Sequence, residues 1–161
     1  MLFELCNEPN IKPVIWSELH EATRRVIRAS NPHRTLIIGC VYGNRIKYLK
    51  DLMLPDDDPG IIVAIHYYEP IQFTHQGAPW SSKGRDQKDV PWTATVEEQA
   101  AVVREFDQAQ QWSRENNRPL TLGEFGAYAK AAMKYRRIWT DFISRQAEIS
   151  GLEVELLAVR R

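Results

Sequence analysis

Ile61–Tyr68 is a β-branched, almost wholly apolar segment, and it constrains the fold of this chain more than any other. Such a strand has to be covered on both faces, which is typical of parallel sheets flanked by helices. Shorter apolar runs predict two further strands, Leu2–Cys6 and Leu36–Gly39, and a fourth strand within Arg118–Phe125, where Leu120 to Leu122 are expected to be buried. Segments of helical pattern separate these strands: Ser17–Ser30, Asn44–Leu52, Thr95–Asn116 and Ala131–Ile149. The alternation predicts an α/β fold with right-handed crossovers.

Boundary signals support two of the predicted helices. Ser17 can cap the first helix, which Asn31-Pro32 ends. Thr95 and Glu98 have the spacing of a capping box and open a later helix. The segment 69–94 before that helix is rich in proline, glycine and charge, and loops of such length are usually functional or disordered.

Composition excludes several classes of function. The chain has 161 residues, which predicts one domain, and its 21 Lys and Arg balance its 21 Asp and Glu. Without a basic stripe we expect no binding to nucleic acid or to an anionic membrane. No apolar run reaches the ~20 residues of a membrane helix, and the N-terminus lacks the pattern of an export signal. Cys6 and Cys40 each end an apolar run, which predicts two buried thiols.

Two glutamates follow directly on predicted strands: Glu8 in Asn7-Glu8-Pro9 and Glu124 in Gly123-Glu124-Phe125-Gly126. In β/α barrels the active site is built at the carboxyl ends of the strands. The two-residue period of a strand also places His66 and Tyr68 on one side. If these sides face inward, Glu8, His66, Tyr68 and Glu124 converge at one mouth. Paired carboxylates are the minimum machinery for breaking a glycosidic bond.

These residues also have purely structural interpretations. Asn7 and Glu8 could form a helix-capping turn, and Glu124 could be a lining carboxylate paired with an arginine. His66 and Tyr68 could be satisfied polar groups of the core.

Other polar and aromatic residues of the long loop are open to similar alternatives. Trp80 and Trp92 could simply anchor the loop. His66, Glu69 and His75 could suggest a metal, but their spacing matches no common ligand motif, so no metal site is predicted. No nucleophile-elbow motif supports a serine triad.

Several stretches carry a family pattern in order and spacing: Leu2–Asn10, Arg34–Gly39, His66–Pro70 with Phe73–Trp80, and Leu122–Tyr128. Together they resemble the fourth to seventh strands of glycoside hydrolase family 5, the cellulase family of (β/α)8 barrels. The resemblance runs from Leu2 to about Gly151 and is strongest to bacterial endo-β-1,4-glucanases.

The resemblance implies a retaining glycoside hydrolase that cleaves β-1,4-glucosidic bonds of cellulose-type polysaccharides without metal or cofactor. Glu8 would be the general acid/base, and Glu124 the nucleophile that forms the glycosyl-enzyme. The implied substrate-binding residues are Asn7 at the sugar 2-hydroxyl, His66 and Tyr68, which orient the sugar and the nucleophile, and Trp80, which stacks on a sugar ring.

The chain departs from the family pattern at both ends. A (β/α)8 barrel takes ~250 residues, so we expect residues 1–151 to form a half-barrel catalytic domain without the family's upstream Arg and His. The family would continue into an eighth strand with a sugar-contacting tryptophan, whereas this chain ends in Leu152–Arg161. Codons for Trp-Ser-Tyr-Trp-Gln-Phe, read out of frame, encode Val-Glu-Leu-Leu-Ala-Val, which stands at 154–159. Residues 152–161 are therefore interpreted as a divergent, frameshifted tail.

A half-barrel leaves strand edges and a core face uncovered, which predicts a symmetric dimer of two half-barrels. The expected partners are thus a β-glucan oligosaccharide or polysaccharide and a second copy of the chain, with no nucleic acid and no membrane. The alternative is a catalytically inactive remnant that binds carbohydrate weakly or serves as a scaffold. The family implies a secreted enzyme, but no signal peptide is predicted, so localisation stays open.

Overall fold

The computed structural model describes residues 2–154, so part of the predicted tail, 155–161, lies outside the described residues. The strands are β1 (Phe3–Glu4), β2 (Leu36–Gly39), β3 (Ile61–Tyr67), β4 (Leu120–Phe125) and β5 (Glu153–Val154). The helices are α1 (Pro13–Ser30), the single turns α2 (Val41–Asn44) and α3 (Ile71–Thr74), a 3-10 helix (Ile46–Asp51), α4 (Val96–Asn116) and α5 (Met133–Ile149).

Hydrogen bonds order the strands β1-β2-β3-β4-β5, with β1 at one edge. β1 pairs parallel with β2, in the register Phe3 to Leu36. β2 pairs parallel with β3, with Leu36 opposite Ile61 and Gly39 opposite Ala64. The parallel pairing predicted from the apolar runs is confirmed for these strands.

Helix α1 begins four residues before the predicted Ser17, at Pro13. The ring of a proline fixes a helical φ, and its missing N–H costs nothing in the first turn, so Pro13 starts the helix more effectively than a serine cap would. Ser17 instead lies inside the helix and donates its hydroxyl to the carbonyl of Pro13, 3.0 Å away.

The capping box at the start of α4 is confirmed. The backbone N–H of Glu98 donates to Thr95 Oγ1 at 3.2 Å, and the N–H of Thr95 donates to Glu98 Oε2 at 2.9 Å. The segment before it is ordered by Gln76, whose amide bonds both the carbonyl and the N–H of Val90. Trp92 in this segment is 1% exposed and anchors it.

Contacts group the chain into two compact units, residues 2–66 with 108–121 and residues 67–107 with 122–154. In the first unit, buried branched side chains of β2 and β3 form the core. Trp16 of α1 joins this core and donates its indole N–H to the carbonyl of Gly39 at 2.8 Å. Helix α1 is thereby fixed to the carboxyl end of β2.

An ion-pair cluster lies at the other end of the first unit. Asp58 accepts hydrogen bonds from Arg28 at 2.7 and 2.9 Å and from Arg24 at 3.2 Å. Arg118 donates to the carbonyls of Asp58 and Pro55. Chiefly because of the Arg28 bonds, the pKa of Asp58 lies below its usual range.

Aromatic side chains form the core of the second unit. Trp139 of α5 lies near Tyr67, Phe73 and Phe125 and donates its indole N–H to the carbonyl of Glu69 at 3.1 Å. Burial raises the pKa of the Tyr67 hydroxyl well above its usual range.

The two cysteines differ in environment. Cys40 is buried as predicted, and burial raises its pKa to about 12. The prediction for Cys6 is wrong: its side chain is exposed, because β1 ends at Glu4 and Cys6 follows in an open turn. Within residues 2–154, no helix has the length and apolar character needed to cross a membrane.

Candidate active site

Glu8 and His66 form a hydrogen-bonded pair in the first unit. His66, near the carboxyl end of β3, has a side chain that is 2% exposed, and its Nδ1 lies 2.8 Å from Oε1 of Glu8. The Glu8 carboxyl is 40% exposed and thus reaches solvent. Its backbone has a φ of 49°, a left-handed conformation that is uncommon for residues other than glycine and is often found at functional sites.

Asn44 contacts the other side of the His66 ring. Its side chain is fully buried, and its Nδ2 lies 3.2 Å from His66 Nε2. Tyr42, Gly43 and Asn44 have left-handed φ values of 58°, 83° and 52°. Sequence reasoning missed Asn44; the Gly-Asn pair, which tolerates positive φ, was the available signal.

Gly43 lies beside the Glu8 side chain. A Cβ at Gly43 would lie 3.8 Å from Glu8 Oε1 and 4.0 Å from Arg45 Nε. The positive φ of Gly43, 83°, is a conformation that favours glycine at this position.

Glu124 and Tyr68 form the corresponding pair in the second unit. The hydroxyl of Tyr68 donates to Glu124 Oε2 at 2.8 Å. Tyr68 is itself held: its carbonyl accepts a hydrogen bond from the Thr74 hydroxyl, and its ring meets that of His75 edge-on at 5.2 Å. A fixed donor of this kind stabilises negative charge on the Glu124 carboxylate.

A cleft of about 1370 Å³ opens beside this pair, within the second unit. Trp80 is 67% exposed, so it does not anchor the loop as Trp92 does. Its ring meets Tyr128 edge-on at 4.8 Å. Exposed aromatic rings offer apolar surface for stacking on sugars. Residues that line the cleft include Tyr68, His75, Trp80, Phe125, Tyr128 and Arg136.

Asn7 is exposed and precedes Glu8 in the turn after β1. The alternative in which Asn7 and Glu8 cap a helix is wrong, because α1 begins at Pro13, with Lys12 before it. In the described part of the first unit, His66 and Glu8 bring one imidazole and one carboxylate together.

Comparison with known proteins identifies the family. The family model for cellulase, glycosyl hydrolase family 5, matches residues 1–152. Endoglucanase H of Acetivibrio thermocellus is 38% identical over 149 residues, 91% of this chain and 15% of that protein.

Solved structures agree with the family match. A hyperthermophilic endo-β-1,4-glucanase in complex with substrate is 40% identical with a TM-score of 0.91, over 95% of this chain and 49% of that one. Thermotoga maritima Cel5A in complex with cellobiose is 37% identical with a TM-score of 0.91, over 95% and 50%.

The chain thus spans about half the length of these solved glucanases and a smaller share of Endoglucanase H. The expected fold class, an α/β half of a TIM barrel, is confirmed by these matches. With the family model covering nearly every residue, the chain belongs to glycosyl hydrolase family 5, the cellulase family.

Proposed function

We propose that the chain is a retaining glycoside hydrolase that cleaves β-1,4-glucosidic bonds, with Glu8 as acid/base and Glu124 as nucleophile. The observation that carries this proposal is that each glutamate has its own fixed partner, His66 for Glu8 and Tyr68 for Glu124. The two partners are separated by one residue, and alternate residues of an extended strand point to the same side. This spacing along the chain supports the proposal that the carboxyls of Glu8 and Glu124 act together on one glycosidic bond.

In the first chemical step, Glu124 attacks the anomeric carbon while Glu8 protonates the departing glycosidic oxygen. The carbon–oxygen bond to the leaving sugar breaks, and an ester bond to Glu124 forms. In the second step, Glu8 removes a proton from water, which attacks the same carbon and releases Glu124. The net reaction adds one water across the glycosidic bond. This mechanism requires the two carboxyls to lie about 5–5.5 Å apart.

The local environments fit these separate roles. Glu124 accepts a hydrogen bond from a neutral phenol, which stabilises the ionised form that a nucleophile needs. The carboxyl of Glu8 is 40% exposed, so water can reach it in the second step, in which it acts as the general base. This difference in environment between the two carboxyls supports Glu8, rather than Glu124, as the group that transfers the proton.

Cellulose-type glucans are the proposed substrates. Trp80 and Tyr128 give the cleft an aromatic wall, which suits the apolar face of a β-linked glucose ring. The similar proteins named above are endoglucanases, and one of them is in complex with cellobiose. Asn7, exposed next to Glu8, is proposed to bind the 2-hydroxyl of the sugar.

Turnover of an aryl β-cellobioside and of soluble cellulose tests the proposal. We expect Glu8→Gln and Glu124→Gln each to lower turnover by at least about a hundredfold, since general acid–base catalysis contributes 10²–10⁴-fold. Glu18→Gln, a substitution of an exposed glutamate on α1, is the matched control and should retain full activity. Equal turnover by the wild type and both variants would contradict the assigned roles.

An inactive remnant that binds carbohydrate is the second candidate. The described residues match only about half of each solved glucanase, so groups that the other half supplies are not among them. A folded wild-type chain without turnover, but with quenching of Trp80 fluorescence by cellobiose, would support this candidate over the hydrolase.

We also propose that the chain pairs with a second copy. One face of α1 exposes an apolar stripe of Ile15, Leu19 and Val26, which are 49%, 52% and 74% exposed. Strand β1, which precedes α1, is an edge strand. Unpaired strand edges and exposed apolar stripes both favour association.

Light scattering across a dilution series tests this pairing. We expect a dimer that dissociates on dilution, and a shift to monomer in Leu19→Lys, which places a charge in the centre of the stripe. Ser30→Lys, at the exposed end of the same helix, is the control and should remain dimeric. A monomer at every concentration would contradict the pairing.

A further inference from the structure

We infer that Asn44 is a positioning residue that fixes the tautomer of His66 and thereby decides which oxygen of Glu8 carries the transferred proton. The inference rests on the proposed function and extends it to a residue that does not touch the reacting atoms. All of its contacts lie within the first unit.

The first step concerns the proton on the His66 ring. A neutral imidazole has one N–H donor and one bare nitrogen that can only accept. The Asn44 amide places its Nδ2, which can only donate, 3.2 Å from Nε2. Nε2 must then be the accepting nitrogen, so the ring proton lies on Nδ1. That proton points at Glu8 Oε1, 2.8 Å away.

The second step concerns Glu8. Because Nδ1–H donates to Oε1, this oxygen is an acceptor whether the carboxyl is ionised or protonated. When Glu8 is protonated, its proton is therefore confined to Oε2. General acid catalysis needs the proton on the oxygen that faces the leaving group. Asn44 thus sets Oε2 as the oxygen that gives and receives the proton.

The third step concerns how Asn44 is held. Its side chain is fully buried, and both Asn44 itself and Tyr42 have left-handed φ values, 52° and 58°. Such conformations cost free energy and persist only where the surroundings enforce them. Gly39 makes room for the amide, because a Cβ at Gly39 would overlap the Asn44 side chain. A strained turn and a neighbouring glycine therefore combine to place one amide against one ring nitrogen.

The two ring nitrogens of His66 face different groups. The Glu8 carboxyl faces Nδ1, and the uncharged Asn44 amide faces Nε2. Asn44→Asp would reverse the role of Nε2 from acceptor to donor, since a carboxylate next to Nε2 requires a proton on that nitrogen.

Imidazole ¹⁵N spectra of the histidine-labelled chain test the inference without any need for turnover. The His66 signals are assigned by their loss in His66→Gln. In the wild type we expect a protonated Nδ1 and a bare Nε2. Asn44→Asp should protonate Nε2, and Asn44→Leu should give a mixture of tautomers. Gly39→Ala, which displaces the amide without removing it, should also give a mixture.

A bare Nδ1 in the wild type would overturn the inference, as would an Nε2 signal that is the same in Asn44→Asp and in the wild type. Asn44→Asp nearly preserves the shape of the side chain, so its circular dichroism should match that of the wild type. In an active chain, Asn44→Asp should lower kcat about tenfold or more and leave KM within about twofold. If the wild type is inactive, this counts against the proposed function. The ¹⁵N spectra would still decide whether Asn44 fixes the tautomer of His66.

Discussion

The hydroxyl of Tyr68 lies 2.8 Å from Oε2 of Glu124 and donates a hydrogen bond to it. Hydrogen bonds to charged groups contribute about 1.5–3 kcal/mol. If Glu124 is the nucleophile, Tyr68→Phe should lower kcat about 10- to 100-fold, because 1.36 kcal/mol corresponds to a factor of ten in rate. The measurement is the steady-state hydrolysis of an aryl β-cellobioside.

Tyr135→Phe is the matched control for this substitution. Tyr135 lies on α5, and its ring packs under the Lys134 ammonium rather than against Glu124. Loss of the Tyr135 hydroxyl should leave kcat unchanged. A Tyr68→Phe variant as active as Tyr135→Phe would exclude a role for the phenol in activating Glu124.

His20 should make the first unit less stable in mild acid. It is 1% exposed beside Trp16, and burial lowers its pKa below the ordinary 6.5; Glu21 and the Met53 backbone oppose this shift only partly. Below pH 6.5 the unfolded chain binds a proton that the folded chain does not. The free energy of unfolding should therefore fall as the pH drops, by up to ~1.4 kcal/mol per pH unit, until the folded-state pKa is reached.

Urea unfolding between pH 7.5 and 5.5 measures this effect. His20→Leu removes the titrating group and should flatten the dependence in that range. His33→Gln changes an exposed histidine and should keep the wild-type slope. If the unfolding free energy of His20→Leu depends on pH as steeply as that of the wild type, another group causes the loss of stability in mild acid.

The carboxylate of Asp58 should contribute far more to stability than that of its neighbour Asp57. Asp58 has a side chain that is 7% exposed and bonds Arg24 and Arg28, which are 13% and 16% exposed. Asp58→Asn leaves both cations without a buried counter-charge and should cost about 3 kcal/mol at pH 7. Asp57, with an 82% exposed side chain 4.0 Å from Arg24, should tolerate the same change.

The same ion pairs give Asp58 a defined pH dependence. Its folded-state pKa lies below the ordinary 3.8, so its contribution is complete above that value and is lost as the pH falls below it. The unfolding free energies of the wild type and Asp58→Asn should therefore converge as the pH falls through the folded-state pKa of Asp58. If the difference in unfolding free energy between the wild type and Asp58→Asn persists unchanged in strong acid, packing of the Asp58 side chain, and not its charge, provides the stabilisation.

The two thiols should differ in reactivity. Cys6 is exposed, whereas Cys40 is buried and has a pKa raised to about 12, so it holds almost no thiolate at neutral pH. A disulfide reagent at pH 8 should titrate one thiol in the native chain and two after denaturation. Cys6→Ser should leave none that reacts rapidly. Rapid reaction of two native thiols would contradict the burial of Cys40.

Much of the fold could be predicted because its signals are local. The β-branched runs of β2 and β3 defined these strands to within one residue, and the Thr95–Glu98 capping box fixed the start of α4. The start of α1 was misplaced because two local signals competed and proline dominated over serine. The exposure of Cys6 was missed because its apolar neighbours extend beyond the paired part of β1.

The site was predictable only in part, for a related reason. Glu8, His66, Tyr68 and Glu124 stand at the ends of strands, where a periodic pattern and the family resemblance both indicate them. Asn44 reaches His66 through three left-handed residues and a gap left by Gly39. No periodicity records such a tertiary arrangement, so the residue that contacts His66 Nε2 was not foreseen.

Covalent trapping of the nucleophile tests the proposed mechanism most directly. A cellobioside with fluorine at C2 and a good leaving group forms the glycosyl-enzyme but slows its hydrolysis, so the adduct can be detected by intact mass. The proposal predicts the mass of one fluorocellobiosyl group on the peptide that contains Glu124, and no adduct in Glu124→Gln. A folded wild-type chain that stays unmodified, or one modified at another residue, would contradict the assignment of Glu124 as the nucleophile.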